Sequence, residues 1–126
     1  MEKGLKFTSE MVVEERHLAK SVGSGDLPVL GTPVMMSLME NAAMNAVSAS
    51  LAEGESTVGS YIEASHIRPT ALGDTVCATA TLTAVEGRKL TFRVEAADSK
   101  GNIGEGSHVR YIINIEKFLA KMSGKG

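Results

Sequence analysis

The chain has 126 residues, of which 13 are basic and 15 acidic, and its formal net charge is −2. This length fits a single domain over residues 1–126, and a hydrophobic fraction of 43% suffices for one core, built mainly from aliphatic side chains because Trp is absent. No basic cluster indicates a nucleic-acid partner, no apolar run could cross a bilayer, and the charged N-terminus is unlike a secretory signal. The lone Cys77 excludes an internal disulfide, its strand setting argues against a nucleophile, and no Cys/His spacing predicts a metal site. We therefore expect a cytoplasmic protein without membrane or nucleic-acid partners.

In chain order, a strand is predicted first, over residues 7–15. The most regular element follows from Thr32 onward, where apolar residues recur at helical spacing, namely Met35, Leu38, Met39, Ala42, Ala43, Ala46 and Val47. Thr32 is a suitable N-cap, Pro33 suits the first helical position, and Gly54 is a plausible stop. We interpret the apolar stripe as the face that packs in the core.

Beyond the helix the hydrophobic period changes to two, which predicts strands over residues 57–68, 74–85, 90–96 and 103–115. Turns fall at Gly87 and at 99–102, and the last strand has Val109, Tyr111, Ile113 and Ile115 on one face. The order predicts an α+β fold, an antiparallel sheet of about five strands packed on one long helix. Because one helix covers only part of such a sheet, we expect a homodimer formed through an edge strand.

Two polar residues of the helix are candidates for chemistry. Thr32 lies at the helix start, where free N–H groups and the helix dipole favour negative charge, so it could help hold an oxyanion or be only a cap. Glu40 lies at the flank of the apolar stripe, where a carboxylate could serve as base or nucleophile, or simply be solvated. Eight residues correspond to about 12 Å of helix rise, so the two need not touch within one chain, and a second subunit could complete the site.

Further candidates lie in the predicted strands. His66, near a strand end and before a turn, could protonate a leaving thiolate or relay a proton, or be structural. Gly59 could mark a close approach of the backbone to a ligand, or a bulge. Arg110 interrupts an apolar alternation and could hold a carboxylate or phosphate, or face solvent. His17 and His108 have no such setting and are predicted to be surface or packing residues.

Taken in order, these pieces resemble the fluoroacetyl-CoA thioesterase family of the hotdog-fold thioesterases. The resemblance runs from about residue 7 to 121 and rests on Val22-Gly23-Ser24-Gly25-Asp26, Thr32-Pro33, Leu38-Met39-Glu40, Gly59, His66, Val85-Glu86-Gly87-Arg88 and Ile115-Glu116-Lys117-Phe118. It implies a hotdog fold, in which the sheet wraps around a central helix, and a homodimer with active sites near the subunit interface. It also implies hydrolysis of an acyl-CoA thioester, with no cofactor other than the coenzyme A of the substrate.

The resemblance implies a catalytic site of Thr32, Glu40 and His66. Glu40 would attack the thioester carbonyl or activate water, Thr32 would position the reacting group, and His66 would handle protons. Gly59 and Arg110 would assist substrate binding at the thioester and acyl end.

One departure from the family concerns the acyl group. The selective fluoroacetyl enzyme has an aromatic-rich lid ahead of its threonine, whereas residues 23–30 here contain no Phe. Met35, Met36 and Met39 are predicted to form an adaptable wall around the acyl group. We therefore expect a short or medium acyl-CoA as substrate. The alternatives are an acyl-CoA-binding module without turnover and an enoyl-CoA hydratase-like enzyme, although the Asp/His motif of the latter is not found.

Overall fold

A five-stranded antiparallel sheet forms most of the structure, a computed structural model that describes residues 1–124. The strand order across the sheet is β1-β3-β4-β5-β2. The strands are β1 (Lys6–Val12), β2 (Glu55–Ala64), β3 (Thr75–Glu86), β4 (Lys89–Asp98) and β5 (Gly101–Asn114). Each pair of neighbours is antiparallel, and β1 and β2 are the two edges. The predicted antiparallel sheet of about five strands is therefore confirmed.

The main helix, α2 (Thr32–Val47), packs chiefly against β1 and β3. Two shorter helices, α1 (Ala19–Val22) and α3 (Ile115–Met122), accompany it, and the second replaces the predicted end of the last strand. No helix within residues 1–124 is long and apolar enough to span a membrane.

The core lies between α2 and the inner face of the sheet. The helix buries five of the seven predicted stripe residues completely, namely Met35, Met39, Ala42, Ala43 and Val47. They meet the alternating apolar faces of β3 and β4, which are Val76, Ala78, Ala80, Leu82, Leu90, Phe92, Val94 and Ala96. Each of the larger side chains contributes about 1.5–3 kcal/mol on burial, so this interface holds the helix in place.

The start of α2 differs from the prediction. Gly31, not Thr32, is the N-cap, with extended backbone at φ −72° and ψ 136°, and Thr32 occupies the first helical position ahead of Pro33. The Thr32 hydroxyl does not cap the helix because it is bonded elsewhere, to His66. At the other end the helix stops at Val47, and Gly54 instead supplies the positive φ of the turn before β2.

The faces of β5 are also opposite to what the apolar residues suggested. Tyr111, placed on the apolar face, is 39% exposed, whereas His108 and Arg110 on the other face are 0% and 7% exposed. Gly104 and Gly106 share that inner face, and a side chain at either would collide with the backbone of residues 63–65. The close approach of β2 to β5 thus requires glycine at both positions. His108 and Arg110 follow on the same face of β5, and their side chains are therefore buried.

Candidate active site

Thr32 and His66 are brought together at the N-terminus of α2. The Thr32 hydroxyl oxygen lies 2.7 Å from Nδ1 of His66. His66 follows the end of β2, and its neighbours remain tied to β5 by backbone hydrogen bonds, from Ser65 N–H to the Glu105 carbonyl at 2.9 Å and from Ile67 N–H to the Ile103 carbonyl at 2.8 Å. The position of the imidazole is therefore set by the sheet, and that of the hydroxyl by the helix.

The second nitrogen of the His66 ring is not satisfied. Nε2 is buried and has no hydrogen-bond partner among residues 1–124. Burial also lowers the pKa of His66 below its ordinary value of 6.5, which favours the neutral ring. A buried polar atom without a partner costs about 1–3 kcal/mol, so this nitrogen is a place where a further group would bind favourably.

The helix start offers one backbone donor beside this pair. Pro33 has no N–H, and the N–H groups of Val34 and Met35 both donate to the Gly31 carbonyl. Among the first helical residues, this leaves the Thr32 N–H as the candidate donor to a negative oxygen.

A groove of about 260 Å³ opens beside Thr32 and His66. Its other walls come from the segment before α2, including Val29 and Leu30, and from the turn that contains Pro69. That segment is fixed by backbone hydrogen bonds from Ala19 N–H to the Val29 carbonyl (2.7 Å) and from Leu30 N–H to the Thr70 carbonyl (2.9 Å). The segment predicted as a lid therefore lies at the site and presents aliphatic side chains to the groove.

Glu40, Gly59 and Arg110 meet in a second group, halfway along α2. Gly59 of β2 is paired directly with Arg110 of β5. A Cβ added at Gly59 would lie 3.2 Å from Glu40 Oε2 and 3.5 Å from Arg110 Nη1. The missing side chain thus leaves a small space bounded by a carboxylate and a guanidinium, and the adjacent break in register makes Gly59 border a bulge as well.

The guanidinium of Arg110 is held rigidly. Its Nε donates to the Thr57 hydroxyl at 2.8 Å and its Nη2 to the Thr57 carbonyl at 2.9 Å. Burial lowers the pKa of Arg110, while the negative charge of Glu40 raises it. Arg110 is 7% exposed, so the alternative that it faces solvent is wrong, and its role in holding a carboxylate or phosphate stays a prediction.

His108 is a member of this second group that the sequence did not reveal as one. Its Nδ1 lies 2.7 Å from the Tyr61 carbonyl and its Nε2 lies 3.3 Å from Arg110 Nη1. Burial, followed by the positive charge of Arg110, lowers the pKa of His108 against the opposing effects of the Tyr61 carbonyl and Glu40. The signal that could have found it is its two-residue spacing from Arg110, which places both on one strand face.

The structure therefore contains two polar groups rather than one contiguous site. Thr32 and His66 form the first, and Glu40, Gly59, His108 and Arg110 form the second. Along α2 the two are separated by about 12 Å of helix rise. Within residues 1–124, no cluster of three or more His, Cys, Asp or Glu side chains could hold a metal ion.

The three methionines predicted to surround the acyl group lie away from the groove at Thr32 and His66. Met35 and Met39 are completely buried in the core, and Met36 packs against the core's edge. None of the three lines the groove at Thr32 and His66. Their helical spacing carries them onto the face that meets the sheet, whereas the groove is formed by the segment before the helix.

Comparisons with known proteins identify relatives along almost the whole chain. Residues 13–116 match the model of the family FlK, described as fluoroacetyl-CoA-specific thioesterase. The fluoroacetyl-CoA thioesterase of Streptantibioticus cattleyicolor is 40% identical over 131 aligned positions, which cover 99% of this chain and 94% of that protein.

Two solved structures show how far the fold is shared. A fluoroacetyl-CoA thioesterase FlK structure with a threonine-to-serine substitution, in complex with acetyl-CoA, superposes with a TM-score of 0.93 at 36% identity, covering 99% of this chain and 98% of that one. A hot-dog-like protein from Thermanaerovibrio acidaminovorans, at 21% identity, gives a TM-score of 0.88 over 98% and 91% of the two chains. The predicted hotdog fold is thereby confirmed.

Proposed function

This chain belongs to the fluoroacetyl-CoA-specific thioesterase family, and from that premise we propose that it hydrolyses acyl-CoA thioesters to a carboxylate and free CoA at a site of Thr32, His66 and Glu40. As a member of the family it is a thioester hydrolase. The observation that carries the assignment of residues is the 2.7 Å contact between the Thr32 hydroxyl and His66 Nδ1, beside a groove and with the other ring nitrogen free to act.

The geometry supports a division of labour between the hydroxyl and the ring. When the Thr32 hydroxyl donates to Nδ1, neutral His66 carries its proton on Nε2. This N–H can donate a hydrogen bond to the sulfur as the C–S bond breaks, which stabilises the departing CoA thiolate until it takes up a proton from solvent. The Thr32 N–H at the positive end of the helix dipole would stabilise the negative oxygen that develops on the thioester carbonyl.

Glu40 supplies the negative group that the reaction needs, in one of two ways. As a nucleophile it would form an acyl anhydride with the substrate and release CoA, after which water would hydrolyse the anhydride. As a base it would take a proton from the water that attacks the thioester directly. Rapid-quench mass spectrometry of the protein during a single turnover separates the two, because the nucleophile adds the mass of the acyl group to the peptide that contains Glu40.

For the substrate, we propose a short or medium acyl-CoA rather than fluoroacetyl-CoA alone. The segment before α2 contains no Phe, and it gives the groove the aliphatic side chains of Val29 and Leu30 beside the polar Ser24, while Arg68 lines the groove from the other side. Aliphatic walls favour an apolar acyl chain through the area that they bury. The expected result is that kcat/KM for butyryl- to octanoyl-CoA exceeds that for fluoroacetyl-CoA.

We further propose a homodimer in which the partner completes the site, because Glu40 and the Thr32–His66 pair of one chain form separate groups. The free edge of β2 would pair with its copy, and a carboxylate from the partner could accept a hydrogen bond from His66 Nε2–H. Mixing Glu40→Gln chains with His66→Ala chains tests this. A site shared between subunits regains about a quarter of the parent activity on random exchange, since half of the dimers are mixed and each has one intact site. A site contained in one chain regains none.

The function itself is tested by thiol release with DTNB from acetyl- to decanoyl-CoA and fluoroacetyl-CoA. The parent should turn over, while Glu40→Gln and His66→Ala should not, and Glu53→Gln, at an exposed position, serves as the matched control. Binding of acyl-CoA without thiol release would instead indicate a binding module, and water addition to enoyl-CoA would indicate the hydratase.

We propose that the reaction needs no added cofactor, so dialysis against a chelator should leave it unchanged. A cytoplasmic location also remains a proposal, to be tested by cell fractionation.

A further inference from the structure

We propose that His108 is a positioning residue of this hydrolase, which holds the Arg110 guanidinium in the orientation that Glu40 and the acyl end of the substrate require. The proposal rests on the proposed function, because it concerns how an assisting residue of that site is oriented. It goes beyond that function by assigning a role to a side chain outside the Thr32, Glu40 and His66 site.

The first step is that His108 can satisfy both neighbours in one protonation state alone. The Tyr61 carbonyl can only accept a hydrogen bond, and the Arg110 guanidinium can only donate one. Nδ1 must therefore carry the proton for the 2.7 Å contact with Tyr61, and Nε2 must offer its lone pair for the 3.3 Å contact with Arg110 Nη1. A doubly protonated ring would direct an N–H at a cation, so the neutral ring is the one that holds Arg110.

The second step is that the ring itself cannot turn. His108 is completely buried, and the Phe92 ring on the neighbouring strand lies at a centroid distance of 6.1 Å from it. Tyr61 belongs to the β-bulge of β2, where the register with β5 shifts between Gly59 and Tyr61. The bulge thus brings a main-chain carbonyl to the imidazole, and a rigid main-chain acceptor fixes the ring plane.

The third step concerns the N–H bonds of Arg110 that Thr57 and His108 do not engage. A guanidinium has five N–H bonds, and the contacts with Thr57 and His108 engage three of them. The other two are available to the Glu40 carboxylate or to an oxygen of the substrate. Because the space above Gly59 lies beside Arg110 Nη1, the nitrogen that His108 holds is also the one that borders this space.

The fourth step is the contrast with a packing role. A packing residue at this point of the core needs only volume, and Leu or Met would supply it. His108 instead places an acceptor within 3.3 Å of a buried cation that already has two bonds to Thr57. Losing the acceptor would leave the planar guanidinium held on its Thr57 side alone, so that the whole plane could tilt about these two bonds and displace Nη1. Misplacement by about 1 Å at a reacting centre can cost on the order of 100-fold in rate.

The test compares His108→Gln with His108→Leu, each alone and combined with Arg110→Lys. A Gln amide carries one donor and one acceptor, as neutral imidazole does, whereas Leu carries neither. The readouts are kcat, KM and melting temperature with an acyl-CoA that the parent turns over. We expect His108→Leu to lower kcat about 10- to 100-fold with KM changed less than about threefold, and His108→Gln to retain most of the parent kcat. When His108→Leu is added to Arg110→Lys, it should lower kcat no more than about twofold further, because Arg110, through which His108 acts, is already replaced.

Three results would overturn the proposal. His108→Leu could leave kcat unchanged, or His108→Gln could be as impaired as His108→Leu. The loss in kcat on His108→Leu could also be as large in the Arg110→Lys background as in the parent. Melting temperature separates this role from a packing defect, because a variant that stays folded at the assay temperature should still show the loss in kcat. If His108→Leu prevents folding, His108→Met, with its unbranched side chain, takes its place in the comparison. A folded parent that turns over no acyl-CoA would overturn the proposed function and this role together.

Discussion

His66 is half-buried and His108 completely buried, burial lowers the pKa of both, and they differ in how their nitrogens are used. His108 makes a hydrogen bond with each nitrogen, to Tyr61 and Arg110. His66 makes one, to Thr32, and its Nε2 has no partner within residues 1–124. A fully bonded ring is held still, whereas a ring with a free nitrogen can exchange a proton with a group that enters.

The surroundings of the two rings sharpen this difference. His66 borders a groove and follows the end of a strand, while His108 lies in the middle of β5 beneath α2. Under the proposed roles, the same type of side chain takes part in the chemistry at the open end of the helix and holds Arg110 at its centre. Burial alone, which lowers the pKa of both, does not distinguish the roles, but the count of satisfied nitrogens does.

The largest expected effect comes from removing the reacting ring. His66→Ala should lower kcat on acyl-CoA about 10³-fold, because general acid–base catalysis contributes about 10²- to 10⁴-fold. His17→Ala is the matched control, since the His17 ring accepts a hydrogen bond from Glu14 N–H, and the substitution keeps the main-chain bond from Gly31 N–H to the His17 carbonyl. Steady-state thiol release measures both. Equal activity in His66→Ala and the control would refute the role given to the free nitrogen.

The next effect tests the partner of His66. Thr32→Ala should lower kcat about 100-fold, whereas Thr32→Ser, which keeps the hydroxyl, should stay within about tenfold of the parent. Thr8→Ala is a matched control, because the Thr8 hydroxyl also makes one side-chain bond, to Thr79 at 2.8 Å. The same thiol-release assay applies. A serine variant as slow as the alanine variant would show that the methyl group, and not the hydroxyl, matters.

The two regions also differ in how well sequence predicts them. The helix, the five strands and the buried faces of α2, β3 and β4 follow from periods of 3.6 and 2, which local sequence determines, as the burial of Met39 and Leu82 confirms. The proximity of Thr32 and His66 does not follow from any period. It requires the backbone pairing of residues 65–67 with β5, which is a tertiary contact, and only the family resemblance indicated it.

The second region was harder still to predict. The inner face of β5 is polar at His108 and Arg110, so the apolar residues on the opposite face gave the wrong orientation. The two glycines Gly104 and Gly106 determine which face of β5 is buried. They allow β2 to approach closely on the face that His108 and Arg110 share. The cap at Thr32 failed for a related reason, since its hydroxyl has a tertiary partner that local rules do not include.

A smaller effect should follow from filling the space at Gly59. In Gly59→Ala the new methyl group would lie 3.2 Å from both Glu40 Oε2 and His108 Cε1, which is tighter than ordinary contact. We expect kcat/KM to fall about tenfold, with the loss greatest for the bulkiest acyl groups, because the methyl group occupies space beside the carboxylate. The acyl-CoA panel measures this. A uniform loss across all acyl groups would place the substrate elsewhere.

The smallest effect concerns stability and compares the two rings directly. Their pKa values are lowered in the folded protein from the ordinary 6.5, so the unfolded chain binds more protons as pH falls through this value. Melting temperature should therefore drop by a few degrees between pH 7.5 and pH 5, and His108→Gln should reduce that drop by removing one of the two groups. Glu40 and Arg110 face His108 in the parent and in the variant alike, so the comparison isolates the imidazole. Thermal denaturation at matched ionic strength measures the change. An identical drop in the variant would mean that His108 is already charged in the fold, which its bond from Arg110 does not allow.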